Sequence, residues 1–151
     1  MNQKSNTITT GTLLRRLFRT SSFERFKANY ASELTSPELC DYITALCEER
    51  DEPHERIVKR AGLDRVYGHQ IFCGLRQPTR DKVIQLAFGF EMNVEDAQAL
   101  LKIAHKSALY PRVERDAAIL FCLHRGMNMI EAQEMLAELG LPTIGGNSNR
   151  E

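Results

Sequence analysis

The chain has 151 residues, of which 42% are hydrophobic and 26% are charged, a composition typical of a folded protein rather than a disordered one. The 20 basic and 20 acidic residues cancel, so the overall charge gives no support to nucleic-acid binding. The longest apolar run, Ala117 to Leu123, is too short to cross a bilayer, and the N-terminus lacks the layout of a secretory signal. These features predict a cytoplasmic protein without a membrane partner.

Residues 1–34 are predicted to form a basic arm that is partly helical. Apolar residues recur at helical spacing from Leu13 to Leu34 and are interrupted near Ser21 and Ser22, which predicts one or two short amphipathic helices. Packing against the body of the protein is one interpretation, and contact with phosphate or a membrane surface is the alternative. The arm carries one acid, Glu24, before Tyr30, against these basic residues: Lys4, Arg15, Arg16, Arg19, Arg25 and Lys27.

Residues 35–106 are predicted to form one domain of five helices. Thr35 to Glu38 combine a capping hydroxyl, a proline suited to the first helical turn and an acid at the positive end of the helix dipole. A helix is therefore expected to begin there and to end in the charged run before Pro53.

The next four helices of this domain are delimited by glycines and capping residues. Gly62 ends one short helix and Asp64 begins the next, which stops at Gly74. Two further helices are expected to begin after Thr79 and Asn93.

Residues 107–144 are predicted to form a C-terminal helical hairpin, with helices at Val113 to His124 and about Asn128 to Leu139, before a disordered tail at 145–151. This hairpin repeats the preceding one, because a shift of 35 residues places identical residues on one another without a gap. We expect it to dock on the first hairpin and extend the core, or to supply a dimer surface. The matching residues are Arg80, Asp81, Ile84, Met92, Asn93, Ala97, Gln98 and Leu101 with Arg115, Asp116, Ile119, Met127, Asn128, Ala132, Gln133 and Leu136.

The segment from Ile57 to Phe90 resembles the Xre/Cro/cI family of helix-turn-helix regulators. The features that match are Ala61, Gly62, Leu63, Tyr67, Ile71, Gly74, Pro78, Arg80, Leu86 and Ala87. The resemblance implies an all-α, lambda-repressor-like five-helix DNA-binding domain and a sequence-specific transcriptional regulator. Physically, Ala61 is expected to be small because two helices cross there, and Gly62 permits a left-handed turn.

The helix after Gly62 is the recognition helix that this resemblance implies, and its exposed face is expected to enter the major groove of double-stranded DNA. Arg65 suits guanine, Gln70 suits adenine and Val66 suits a thymine methyl group, and His69 lies on the same face. The expected phosphate contacts are His54, Tyr67, Arg76, Gln77 and Arg80. From Arg65 to Lys82 four basic residues stand against one acid, about +3.

Two other interpretations concern partners. The neutral overall charge favours an alternative in which the fold is kept but binds a partner protein. Members of the resembled family commonly bind DNA as dimers, and the last helix carries an apolar stripe that suits either a homodimer surface or burial within one chain. The stripe consists of Met129, Met135, Leu136 and Leu139.

Catalytic and metal-binding patterns were also considered. No paired carboxylates, phosphate-binding glycine loop or nucleophile–base pair occurs at a recognisable spacing, and the histidines are scattered along the chain. We therefore expect no enzymatic activity, no metal and no cofactor. The cysteines lack a C-x-x-C pair and are predicted to be reduced residues in or near the core: Cys40, Cys47, Cys73 and Cys122.

Overall fold

The computed structural model describes residues 8–34 and 38–145, and within these ranges its regular secondary structure is entirely helical. The predicted all-α class is therefore confirmed. No helix in these ranges is long and apolar enough to cross a bilayer. The predicted helix start at residues 35–37 and the tail beyond residue 145 lie outside the described residues.

The chain divides into two compact units, residues 1–36 and 37–151. The first unit contains α1 (Thr10–Arg19), α2 (Phe23–Asn29) and a 3-10 turn. Ser22 caps α2 by accepting a hydrogen bond from the Arg25 backbone N–H, so the predicted break near Ser21 and Ser22 is confirmed. In α2 Phe26 is buried beside Tyr30, whereas α1 leaves Phe18 77% exposed.

The second unit holds both the predicted helix-turn-helix domain and the C-terminal hairpin. The predicted N-caps Asp64, Thr79 and Asn93 each accept a hydrogen bond from the backbone N–H three residues later, which satisfies a donor at the start of the helix. Its helices are α3 (Leu39–Arg50), α4 (His54–Arg60), α5 (Arg65–Phe72), α6 (Arg80–Gly89), α7 (Val94–Ile103), α8 (Glu114–His124) and α9 (Met129–Glu138).

Helix α6 lies at the centre of this unit. All of residues 83–90 are buried, because α6 packs against α4, α7 and α9. Ile57, Ile71 and Leu86 belong to one core. Ala61 is fully buried, and its close neighbour is Gly89 of α6, where an added Cβ would lie 2.9 Å from the Ala61 Cβ. The small residue at position 61 is therefore explained by the approach of α6 to α4.

The C-terminal hairpin docks on the first hairpin through an exchange of ion pairs. Arg80 binds both carboxylate oxygens of Asp116 at 2.9 and 3.2 Å, and Arg115 binds both of Asp81 at 2.9 and 3.1 Å. These residues form the exchange cluster. The arginine of each hairpin pairs with the aspartate of the other. The two hairpins therefore meet through equivalent contacts, as two subunits do across the interface of a two-fold symmetric dimer.

The repeat extends to the loops that follow each hairpin. Gln98 forms two hydrogen bonds of 2.8 Å with the backbone of Leu109, and Gln133 forms two of 2.7 Å with that of Ile144. The apolar stripe of α9 is used mainly within the chain, since Met129 and Leu136 are buried while Leu139 is exposed. The homodimer stays a prediction.

Candidate nucleic-acid interface

Helices α4 and α5 meet at a tight turn that fixes the direction of α5. Gly62 adopts the left-handed conformation, with φ 70°, and the next residue, Leu63, is buried beneath the turn. Within α5, Gly68 faces Val58 so closely that an added Cβ would lie 2.5 Å from a Val58 methyl carbon. This contact fixes α5 against α4 on one side and leaves its opposite side outward.

The outward side of α5 carries the residues predicted to contact bases. Arg65, Val66 and His69 are exposed, with Val66 64% accessible, and Gln70 is half-buried. Arg65 forms no ion pair with another described residue and so keeps its full set of donors. The Gln70 side-chain oxygen accepts a hydrogen bond of 2.9 Å from Arg76 Nε, which leaves its amide N–H groups as donors.

Two cations lie close to the ring of Tyr67 at the end of this surface. The Arg76 guanidinium lies 5.8 Å and the Lys82 ammonium 5.9 Å from the ring centre, both within cation–π range. We call Tyr67, Arg76 and Lys82 the Tyr67 cluster. Burial raises the pKa of the Tyr67 hydroxyl, outweighing the opposite effects of Arg76 and a hydrogen bond from the Thr79 backbone. The hydroxyl therefore stays protonated at neutral pH and can donate to an anion.

Arg80, predicted to contact phosphate, is used inside the fold. Besides its ion pair with Asp116, it donates 3.0 Å hydrogen bonds to the carbonyls of Ser107 and Ala108. A phosphate would have to compete with these partners, so we leave Arg80 out of the interface. Asp81 is likewise neutralised by Arg115, and between residues 65 and 82 the other cations are Arg65, Arg76 and Lys82. Gln77, the remaining loop residue of the prediction, is exposed.

Three residues that the sequence analysis did not connect, His54, His69 and Cys73, lie next to one another at α5. His54 Nε2 lies 3.2 Å from His69 Nδ1, and His69 Nε2 lies 3.4 Å from Cys73 Sγ. Their helical spacing offered one signal, because Cys73, which follows the last residue of α5, lies one helical turn after His69. The sequence singled out His54 as a phosphate contact but gave no sign that it lies beside His69, which it reaches because α4 packs against α5. We call these residues the histidine–cysteine cluster.

Packing holds the His54 ring at this position. Its ring centre lies 5.1 Å from that of Phe72, which is 8% exposed and in turn lies 6.4 Å from the Phe90 ring. His54 therefore has an apolar support on one side and His69 on the other. The predicted role of His54 in phosphate contact remains untested by this geometry.

The surface around His54 is concave on both sides. A hollow of about 340 Å³ is lined by His54, Glu55, Val58, Arg65, Val66 and His69. On the α3 side, a hollow of about 580 Å³ is lined by Cys73 and Phe72 and by the acids Glu48, Asp51 and Glu52. The outward side of α5 is thus bordered by acids toward α3 and by the Tyr67 cluster toward α6.

Comparisons of this chain with family models, with curated proteins and with solved structures find no match.

Proposed function

We propose that this chain binds double-stranded DNA at specific sequences and regulates transcription, with α3 to α7 as a lambda-repressor-like five-helix domain. The observation that carries the proposal is the outward side of α5, where Arg65 and Val66 are exposed on a helix anchored from behind by Gly68. A major groove admits one α-helix, and its base edges are read by such side chains.

Base reading is assigned mainly to the first turn of α5. Arg65 offers a forked donor that matches the O6 and N7 acceptors of guanine, and Val66 offers a methyl contact to thymine. His69 follows one turn later. The side-chain oxygen of Gln70 accepts a hydrogen bond from Arg76, and this bond fixes the direction of the Gln70 amide donors. We therefore assign Gln70 both to base contacts and, through Arg76, to contacts with the DNA backbone.

Phosphate binding is assigned to the Tyr67 cluster. Arg76 and Lys82 place two positive charges within 6 Å of the centre of a ring whose hydroxyl is a further donor. Such contacts set the position of a protein on the duplex without reading the sequence. The chain is neutral overall, so the attraction to DNA is local and binding should weaken steeply with salt.

The proposal is tested by titrating the protein against random duplex DNA and against a site enriched from random duplexes, at two salt concentrations. Arg65→Ala should weaken binding to the enriched site by about 1–3 kcal/mol and leave binding to random DNA nearly unchanged. Arg76→Ala should weaken both and lower the salt slope by about 1. Lys102→Ala, which removes one exposed cation from α7, is the matched control and should change neither.

Failure of the folded wild-type protein to bind any duplex at low salt would reject the proposal. Equal losses for Arg65→Ala and Lys102→Ala would reject α5 as the recognition helix. In the first case the partner-protein alternative takes its place.

A further inference from the structure

We propose that Gln85 is a positioning residue that fixes the turn before α5, and that Gly145 keeps the Gln85 side chain in place. The consequence for DNA rests on the proposed function, in which α5 reads the bases. The contact between Gln85 and the turn does not depend on that function, and its effect can be measured without DNA.

Gln85 lies on α6 and is buried, with its side-chain amide against the turn between α4 and α5. Nε2 donates a hydrogen bond of 3.0 Å to the Ala61 carbonyl and a longer one of 3.5 Å to the Gly62 carbonyl. The last carbonyls of a helix have no partner within that helix, so a side-chain donor satisfies them. Gln85 therefore joins the central helix of the unit to the residues that set the direction of α5.

The internal repeat offers a comparison, because the position equivalent to Gln85 in the second hairpin is Leu120. An apolar side chain thus suits this position of the hairpin. Burial of an amide in its place costs free energy unless new hydrogen bonds replace those made with water. The first hairpin carries the amide where it meets the carbonyls of Ala61 and Gly62. We therefore assign the amide to the turn rather than to the packing of the hairpin.

The orientation of the Gln85 amide follows from the same contacts. Carbonyl oxygens only accept hydrogen bonds, so the amide nitrogen must face the turn and the amide oxygen must face away from it. This oxygen, Oε1, is buried and has no hydrogen-bond partner among the described residues. Gly145 lies on that side, and an added Cβ there would stand 2.4 Å from Gln85 Oε1 and 3.2 Å from Lys82 Nζ. A glycine at residue 145 therefore leaves the space that the amide occupies.

Gly145 is itself held against α6. Its N–H donates a hydrogen bond of 2.9 Å to Asp81 Oδ2. The preceding residue, Ile144, is buried, and its backbone is bonded to the Gln133 side chain. A side chain added at residue 145 would therefore displace the Gln85 side chain, which can rotate, rather than the backbone that carries the new atom.

The first experiment measures residue-resolved hydrogen exchange of the full chain by NMR, without DNA. Gln85→Leu and Gln85→Met remove the amide and keep an apolar side chain of similar size. Both variants should speed exchange of the Gly62 and Leu63 N–H groups at the turn roughly tenfold or more, the effect of leaving a buried carbonyl without its donor. Circular dichroism establishes that each variant is folded.

The end of α8 is the internal control. Gly126 and Met127 form there the same pair of backbone hydrogen bonds, three and five residues back, as Gly62 and Leu63 form at the end of α4. Exchange at Gly126 and Met127 should stay unchanged in both variants. Equal acceleration at the two helix ends would mean a general loss of stability, and no acceleration at Gly62 would mean that the amide does not fix the turn. Either result would overturn the positioning role.

Gly145→Ala tests the second part of the proposal against a matched glycine. Gly140 has the same left-handed backbone, with φ 70° against 69°, but an added Cβ there meets no atom within 4 Å. Both substitutions carry the same backbone strain, so a difference between them reports the contact with Gln85. Gly145→Ala should speed exchange at Gly62 and Leu63, and Gly140→Ala should not. Equal exchange in the two variants would contradict the role of residue 145.

The consequence for DNA is measured with the enriched site and with random duplex DNA. A loosened turn lets α5 leave the direction that Arg65 needs, so Gln85→Leu should lower the ratio of the two affinities roughly tenfold. Binding to random DNA depends on phosphate contacts and should hardly change. A folded variant that had only lost stability would keep the ratio.

The proposed function and the positioning role can fail separately. Faster exchange at the turn in Gln85→Leu, without DNA binding by the wild type, would reject the proposed function and keep the contact between Gln85 and the turn. DNA binding with an unchanged affinity ratio in Gln85→Leu would reject the positioning role and keep the proposed function.

Discussion

The two hairpins of the second unit, α6–α7 and α8–α9, have similar backbone conformations but pack against different neighbours. Left-handed residues end the helices at equivalent places, Glu91 and Gly126 with φ 56° and 69°, and His105 and Gly140 with φ 58° and 70°. The outer faces differ. Gly89, which is pressed against α4, corresponds to His124, which is exposed on α8.

Other equivalent positions follow the same rule. Phe90 is fully buried, whereas its counterpart Arg125 is exposed, and Leu86 is fully buried where Phe121 is 45% exposed. The repeat therefore keeps the residues that join the hairpins to each other. It changes the residues that, in the first hairpin alone, pack against α4 and α5.

The largest expected effect comes from giving the first hairpin a side chain at its contact with α4. A Cβ at position 89 would lie 2.5 Å from the Ile57 carbonyl oxygen, and backbone cannot move aside cheaply. Gly89→Ala should lower the free energy of unfolding by about 3 kcal/mol, the upper range for overpacking. His124→Ala, at the equivalent exposed position, should change it by less than about 0.5 kcal/mol. Urea denaturation measures both, and equal effects would contradict the comparison.

The next largest effect is a difference in stability loss between the two ion pairs of the exchange cluster. The Asp116 side chain is 8% exposed and that of Asp81 is 30% exposed, although their partners are equivalent. Asp116→Asn should cost about 2 kcal/mol because it leaves Arg80 without a counter-charge in a largely buried place, and Asp81→Asn should cost about 1 kcal/mol. Urea denaturation of both single variants and the double variant gives their coupling. A larger loss for Asp81→Asn would show that burial does not set the difference.

The smallest effect is a pH dependence shared by both hairpins. Burial by itself raises the pKa of Asp81 and of Asp116, but the hydrogen bonds and charges of Arg115 and Arg80 outweigh it, so both values lie below the ordinary range. The folded state then binds these protons less readily than the unfolded chain. The stability that the carboxylates contribute is present above about pH 4 and is lost as the pH falls further.

Acid titration of stability checks this prediction. The unfolding free energy of the wild type should decrease below about pH 4 more steeply than that of the double Asp81→Asn, Asp116→Asn variant. Parallel curves would show that other carboxylates, such as Glu52 beside Arg60, account for the acid sensitivity.

Much of the fold was predictable because its signals are local. Capping residues such as Asp64 and Thr79, and the glycines at turns, act within a few residues and so mark helix ends directly in the sequence. The repeat was also visible, since identical residues recur at a fixed spacing. What the repeat could not reveal was the exchange: Arg80 pairs with the aspartate of the other copy, and one sequence does not show which copy an arginine meets.

The candidate site was predictable in part, for a related reason. The resemblance implies that Arg65 and Val66 lie on an exposed face of the helix, and both are exposed in the structure. Arg80 resembled a free cation because its partner lies 36 residues away, and His54 resembled an isolated histidine because His69 lies 15 residues away. Contacts of this kind depend on how helices cross, which periodicity does not specify.

The reciprocity of the exchange cluster has a consequence for synthesis of the chain. Residues up to 110 leave the ribosome first, and until α8 and α9 follow, the docking face of α6 and α7 lacks its cover while presenting both an arginine and an aspartate. The second hairpin of a neighbouring chain carries the same Arg115 and Asp116, so it can dock on this face in place of the chain's own hairpin and give a swapped pair. The short linker between α7 and α8 opposes this outcome, because it keeps the chain's own second hairpin at a high effective concentration near the docking face.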